Sequence, residues 1–511
     1  MLNWALSNYE EVRLESVMGE KVTVVENRKK IYGIFWRVVA VSYAVVLAFI
    51  NLIRVFDSNF WGDECFSIRL AQMSFKNMFV ATAEDVHPPL YYIFLIVAYR
   101  IGGNRGWVYH VVSTIPLFIV LGFTLTIIWK RFGKVASFLF ITYWGISELA
   151  VQYNVEVRMY SWAALFVFFS YYAFFKIIKK EKYGEVLFVF CSLGAAYCHY
   201  YAMISVAFFY LALLFLVLGR KYPVKRLVGI YLATIMGYIP WLVQMVTTFK
   251  RTSEDFWMTS ISSLSESLES FFSSDSFIYS WGLLIFTILG TIYVFISTKR
   301  QMDIENQKLI HNENETYINM KTDAVWMIWG LVSAFGTIFM GMAISILIRP
   351  AYIARYLYPV TPVVWFILCV LISKLKWERS IGVVVLVISL IVYFPGYMQT
   401  YRVEKSENES CNVTKERLRE LIDKDDILLA NGLHLGWTML DYYMPENENI
   451  MTEYGYSDFV EEKQYWLVWN NELTETEQIW LTDQQYVASE ELCGGVLGYN
   501  CIHVYRLDKM K

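Results

Sequence analysis

Apolar residues fall in runs that are too long for strands and too evenly apolar for one-faced helices: about 32–53, 107–129, 134–152, 161–178, 184–198, 201–218, 226–246, 278–298, 324–348, 356–373 and 380–398. A helix crossing a bilayer needs roughly 20 mostly apolar residues, so these runs predict about eleven transmembrane helices. Lys and Arg collect at cytoplasmic ends. With Lys29 and Lys30 inside, the clusters Lys130/Arg131/Lys134, Lys176/Lys179/Lys180, Arg220/Lys221/Lys225/Arg226, Lys299/Arg300 and Lys374/Lys376/Arg379 all fall on the inner side. One further run, 90–101, is about a dozen residues long. Counting it as a span would put every basic cluster outside, so it is expected to lie in the interface. Residues 54–106 then form one long external loop with two interfacial helices, 66–82 and 89–101, the second opened by Pro89.

Composition agrees with this reading. Of 511 residues, 56% are hydrophobic and only 18% charged, against roughly 45–50% apolar in soluble domains. The formal net charge of −3 gives no sign of a nucleic-acid partner. Its distribution is more telling: residues 399–511 hold 10 Lys and Arg against 22 Asp and Glu, a net of −12, which leaves +9 on residues 1–398.

Three segments follow. Residues 1–30 read as a cytoplasmic N-terminal tail without a cleavable-signal pattern. Residues 31–398 form an all-α polytopic membrane domain, and 399–511 a small extracytoplasmic α/β domain. In the last, 413–422 and 434–443 have helical spacing, 427–430, 465–469 and 501–506 read as strands, and Gly494-Gly495 reads as a turn. The linker 300–321 is polar enough to read as disordered. Cys191, Cys198 and Cys369 sit in apolar runs as packing residues. Cys493 and Cys501 are a possible disulfide, with free thiols the equal alternative.

The elaborated connections lie on the outer face, where chemistry is expected. There the long loop supplies Asp63, Glu64, Asp85 and His87, and neighbouring junctions supply Glu156, Arg158, His199 and Arg355. Asp63 and Glu64 alone would read as a helix-capping pair. Together with the other polar groups they suggest a base, because partial burial moves a carboxyl toward neutrality. Arginines at headgroup depth suit bidentate contact with a phosphate, as well as lipid anchoring. Tyr91, Tyr92, Tyr160, Tyr201 and Tyr356 belong first to the interfacial aromatic belt, although sugar rings also stack on such faces. His87 and His199 beside carboxylates leave room for a divalent cation, Mg or Mn, without any zinc-like spacing.

The stretches WGDE (61–64), EDVHPPLYY (84–92), QYNVEVRMYSW (152–162), HYYA (199–202) and RYLYPVTP (355–362) resemble, in order, the bacterial multi-pass glycosyltransferases of the GT-C fold. These are the glycosyltransferase family 39 enzymes related to protein O-mannosyltransferases and to the aminoarabinose transferase. The resemblance covers about residues 30–400. It implies inverting transfer of a sugar from a polyprenyl-phosphate donor to a lipid, glycan or protein acceptor on the outer face of the cell membrane. It also implies Asp63 as the base or the acid that orients the acceptor, with Glu64 as its partner, Asp85 and His87 on the acceptor side, and Arg158, His199 and Arg355 facing the donor phosphate. Two other readings stay open: a transporter or flippase of lipid-linked glycan, which would carry mid-span charges, and a membrane-anchored binding protein using the acidic tail.

Overall fold

The computed structural model describes residues 30–57, 59–85, 87–251, 260–308, 315–375, 377–430, 438–447, 449–452, 463–470, 472–498 and 500–510. The predicted cytoplasmic tail, except Lys30, lies outside these residues, as does part of the predicted helix at 434–443. Among the described residues, eight helices are long and apolar enough to cross a membrane.

Helix α1 (Lys30–Phe56) leads into the first loop, which holds α2 (Gly62–Gln72), α3 (Phe75–Glu84) and α4 (Leu90–Gly102). The apolar stretch Gly106–Ile146 contains α5 (Gly106–Phe123) and α6 (Trp129–Ile146). Gly133 has φ of +86° there and breaks the helix, a conformation that suits a residue without Cβ. The break falls where the sequence separates its second and third apolar runs. Next come α7 (Glu148–Tyr153), α8 (Tyr160–Ile178), α9 (Gly184–Cys198), α10 (Tyr200–Leu218), α11 (Val224–Arg251) and α12 (Leu264–Glu269). The long helices α13 (Phe277–Lys308) and α14 (Glu315–Leu347), the short α15 (Thr361–Ser373) and α16 (Glu378–Leu421) complete the helical part.

Helices α8 and α15 lie in the middle, with residues 361–372 of α15 buried without exception. Phe366 of α15 packs edge-on against Phe168, Phe140 and Trp326, at ring separations of 5.4, 5.2 and 5.2 Å. The outer helices turn Phe49, Ile235, Leu289 and Val384 outward. Apolar surface on that scale needs a hydrocarbon solvent, and the chain is a multi-pass membrane protein.

The 44-residue helix α16 runs through position 398 and delivers the chain to a mixed sheet. Strands β1 (Ile427–Ala430), β2 (Ile450–Thr452) and β3 (Tyr465–Trp469) are parallel neighbours, with β1 in the middle. Short α17 (Asp441–Tyr443) precedes β2, and α18 (Glu475–Asp483) follows β3. Strands β4 (Tyr486–Ala488) and β5 (Cys493–Leu497) both pair antiparallel with β6 (Asn500–Lys509), which also pairs with β3.

Several expectations need correcting. The interfacial helix 66–82 is two helices, because Ser74 caps α3 by accepting the Asn77 amide at 3.2 Å. Helix α2 begins at Gly62, which brings Asp63 and Glu64 inside its first turn. Much of the linker 300–321 is helical, since α13 reaches Lys308 and α14 starts at Glu315. Gly494 and Gly495 lie within β5 rather than in a turn. Cys493 faces Val504 and Cys501 faces Val496 across the ladder, and both thiols are free.

One ion pair between a buried arginine and a half-buried glutamate joins the two ends of the membrane domain. Arg54, in the last turn of α1, donates from Nε to Glu404 of α16 at 2.7 Å and also holds the Val151 carbonyl of α7. Removing Glu404 strands the buried Arg54 charge, a loss that reaches about 3–5 kcal/mol at most where both partners are buried. Glu404→Ala is therefore expected to lower the thermal unfolding temperature in detergent markedly, and Arg54→Met/Glu404→Leu to recover most of the loss. Wild-type melting by Glu404→Ala would show that the pair does not join these helices energetically.

Candidate active site

The site begins where α1 ends. Residues 59–61 are non-helical, and α2 starts at Gly62 with two acids in its first turn, where they offset the exposed amides and the helix dipole. Glu64 is only 3% exposed. One of its carboxyl oxygens accepts the Trp61 amide at 3.3 Å and the other the Val157 amide at 2.7 Å. Burial, with Glu156 as the next contributor, pushes its pKa well above the usual carboxylate range against the pull of those two amides. The expected catalytic partner thus works as a brace between α2 and the loop that follows α7.

That loop carries Arg158, itself 3% exposed. Its Nη1 donates to the Asp63 carbonyl at 3.1 Å and to Ser67 Oγ at 3.4 Å, and its Nη2 lies 3.6 Å from the Asp63 carboxylate. Nη2 is also 3.4 Å from His87 Nε2. Arginine can only donate, so His87 Nε2 accepts and its Nδ1 proton goes to Asp85 Oδ2 at 2.9 Å. Asp85, His87, Arg158 and Asp63 form one polar chain, and His87 and Asp85 stand with Arg158 rather than across from it.

His199 joins from the α9–α10 junction. Its Nδ1 accepts the Tyr201 amide at 3.1 Å, which leaves the proton on Nε2. Burial, then His87, Arg158 and Arg355, hold its pKa well below the usual value, so the ring is neutral. It lies 6.2 Å from the His87 ring, 5.5 Å from Tyr160 and 5.1 Å from Tyr356. Tyr201 packs on Tyr356 at 5.1 Å and donates its hydroxyl to the Ala351 carbonyl. Arg355 closes the group, its guanidinium 5.9 Å from the Trp61 ring and 5.7 Å from Tyr356. The Nε atoms of Arg158 and Arg355 are buried and have no hydrogen-bond partner among the described residues.

Two predicted tyrosines back the cluster from α4, and the Tyr92 hydroxyl lies within the electrostatic influence of Arg158, Asp85 and Asp63. Tyr91 is fully buried with its hydroxyl on Ser113 at 2.7 Å, and Tyr92 is buried beside it against Phe66. Both support α4.

A cavity of about 720 Å³ opens beside this cluster and is bounded by Trp61, Glu156, Arg355, Glu404, Gly498 and Asn500 among others. Carboxylates outnumber its two arginines, Arg54 and Arg355. Glu156 accepts from Gln152 at 3.3 Å. Burial raises its pKa to about 7, against the opposing pull of Arg158 and Arg355 and with a further push from Asp63. The sequence gives no local sign of Ser67, Glu404, Gly498 or Asn500 as wall or support, because each reaches the site through a long-range contact or a neighbouring helix turn.

The architecture has solved counterparts. ArnT from Cupriavidus metallidurans, in its apo state and bound to undecaprenyl phosphate, superposes with a TM-score of 0.53 in both cases. The identity is 13%, with 92% of this chain covered and 97% and 98% of the two ArnT chains. The chain has the GT-C fold. No protein-family model and no curated protein matches the sequence.

Among the described residues no three His, Cys, Asp or Glu side chains are grouped so as to hold a metal ion. Both nitrogens of His87 are engaged, and His199 Nδ1 is taken by the Tyr201 amide.

Glu156 supplies a pH dependence. Its folded-state pKa of about 7 lies above the ordinary 4.5, so the native state binds the extra proton and stability falls as pH rises between those values. Glu156→Gln is expected to flatten the change in thermal stability between about pH 4.5 and 7. An unaltered pH profile in that variant would remove Glu156 as its source.

Proposed function

We propose that this chain is an integral membrane glycosyltransferase that moves a sugar from a polyprenyl-phosphate donor to an acceptor on the outer face of the membrane, with inversion and with Asp63 as base. The observation carrying the reading is the pairing of Asp63 with the Arg158 guanidinium, together with a buried, unpartnered Nε on both Arg158 and Arg355. Buried donors without acceptors mark a place for an anion. The likeness in fold to an ArnT bound to undecaprenyl phosphate supports a lipid-linked phosphate as that anion. The basic clusters counted along the sequence support the outer face.

In this mechanism an acceptor hydroxyl or amine loses its proton to the Asp63 carboxylate and attacks the anomeric carbon. The bond from that carbon to the phosphate oxygen breaks, and its electron pair leaves with the polyprenyl phosphate. Arg158 and Arg355 hold the charge that develops on the leaving group, the kind of preorganised stabilisation that dominates such reactions. Neutral His199 and the rings of Tyr160 and Tyr356 offer a surface for the sugar. The carboxylate-rich cavity beyond Trp61 and Arg355 is the acceptor side.

The buried acids and bases do not favour a transporter. Arg54, Glu64, Arg158 and Asp323 are buried at the ends of spans or between them, whereas a relay through the membrane needs ionisable groups in mid-span.

Asp63→Asn is expected to reduce sugar transfer from a lipid-linked donor by about 10²–10⁴-fold while undecaprenyl phosphate still binds. Arg355→Ala is expected to weaken that binding first. Undiminished transfer by Asp63→Asn in reconstituted vesicles would sink the assignment of the base.

A further inference from the structure

The C-terminal sheet touches the backbone that delivers Asp63. Residues 59–61 connect α1 to α2 without belonging to a helix or a ladder, and Phe60 is fully buried. Its buried amide and carbonyl need partners. They find them 383 residues away: the Tyr443 hydroxyl accepts the Phe60 amide at 2.6 Å and donates to the Phe60 carbonyl at 2.9 Å.

The turn between β5 and β6 adds a second hold. Gly498 donates its amide to Asn59 Oδ1 at 2.8 Å. It has φ of +54°, and a Cβ there would sit 2.3 Å from the Phe60 carbonyl oxygen and 3.0 Å from Trp61 Cα. Backbone meets backbone, so the approach needs glycine. Thr414 of α16 steadies this hairpin by accepting the Val496 amide at 3.1 Å. On the opposite side Phe60 stacks on His110 of α5 at 4.7 Å, while Tyr442 meets it edge-on at 5.3 Å. Arg69 of α2 pairs with Asp441 at 3.4 Å.

We infer that Tyr443 and Gly498 are positioning residues: the C-terminal domain clamps the Asn59–Trp61 backbone and thereby fixes Asp63 and Trp61 against Arg158 and Arg355. The inference rests on the reading of Asp63 as the reacting base. It gives the domain a part in the reaction other than anchorage, and it makes the hairpin tip one wall of the acceptor cavity through Gly498 and Asn500.

The test uses the full chain in detergent, as wild type, Tyr443→Phe and Gly498→Val, with hydrogen–deuterium exchange and transfer kinetics side by side. Expected is exchange faster by about 10-fold or more in peptides covering 57–66, with 160–178 and 465–469 unchanged. The kcat should fall by a larger factor than KM for the donor rises. Unchanged exchange at 57–66 in both variants would overturn the clamp. So would accelerated exchange that extends through 465–469 in both, since the residues would then be serving the stability of the sheet. If the wild type transfers no sugar from any lipid-linked donor, the proposed reaction fails while the exchange result still decides the clamp, because exchange does not require turnover.

Discussion

The Glu64 carboxyl group, buried between two backbone amides, is the constraint on which the site depends. It accepts from Trp61 within its own helix turn and from Val157 in a loop 93 residues on. Val157 immediately precedes Arg158, so holding one amide fixes the guanidinium beside Asp63. A buried carboxyl with its acceptors filled is stiff, and losing either bond would leave a buried N–H unsatisfied at about 1–3 kcal/mol. The placement of Asp63 and Arg158 is thus set by a carboxyl group that also lines the neighbouring cavity.

Around that brace the charged groups compensate one another before any ligand arrives. Through its Nη atoms Arg158 meets the Asp63 carbonyl, Ser67, the Asp63 carboxylate and His87, and only its Nε is left open. The neutral His199 adds no charge near two arginines. Glu156, with its pKa lifted to about 7 by burial, sits within the influence of both guanidiniums and of Asp63. A site assembled from four separate loops can stay ordered at the membrane surface only if its polar groups are satisfied in this way.

What the sequence makes legible follows the range of the interaction. The apolar runs anticipate the helices, including the break at Gly133, because burial in hydrocarbon is a local property of a run. The motifs that hold Asp63, His87, Arg158, His199 and Arg355 could be read because each lies at a helix junction, and the fold brings those junctions together. The partners of Glu64 and Tyr91 were not legible, because residue type and motif position say nothing about which group a polar atom meets. The Arg54–Glu404 pair and the Tyr443–Phe60 bonds join positions 350 and 383 residues apart. No periodicity carries such a signal. The polar stretch 300–321 failed differently, because its Glu, Lys and Gln are good helix formers that prolong α13 and α14 once those helices are nucleated.

The two arginines divide the work unequally on the proposed reading. Arg158 is buried and already held through its Nη atoms by Asp63 and Ser67, so besides its part at the phosphate it fixes Asp63 in place. Arg355 rests on the faces of Trp61 and Tyr356 and makes no ion pair among the described residues. Stacking holds its plane while leaving donors open, which suits a guanidinium that must take up charge on a leaving phosphate. Trp61 therefore serves twice. Its amide is held by Glu64, its ring carries Arg355, and the clamp from Gly498 and Tyr443 acts on the backbone directly beneath it. A displacement of that backbone would reach the base and the phosphate-binding arginine together, which is the physical reason a domain so far along the chain can govern both.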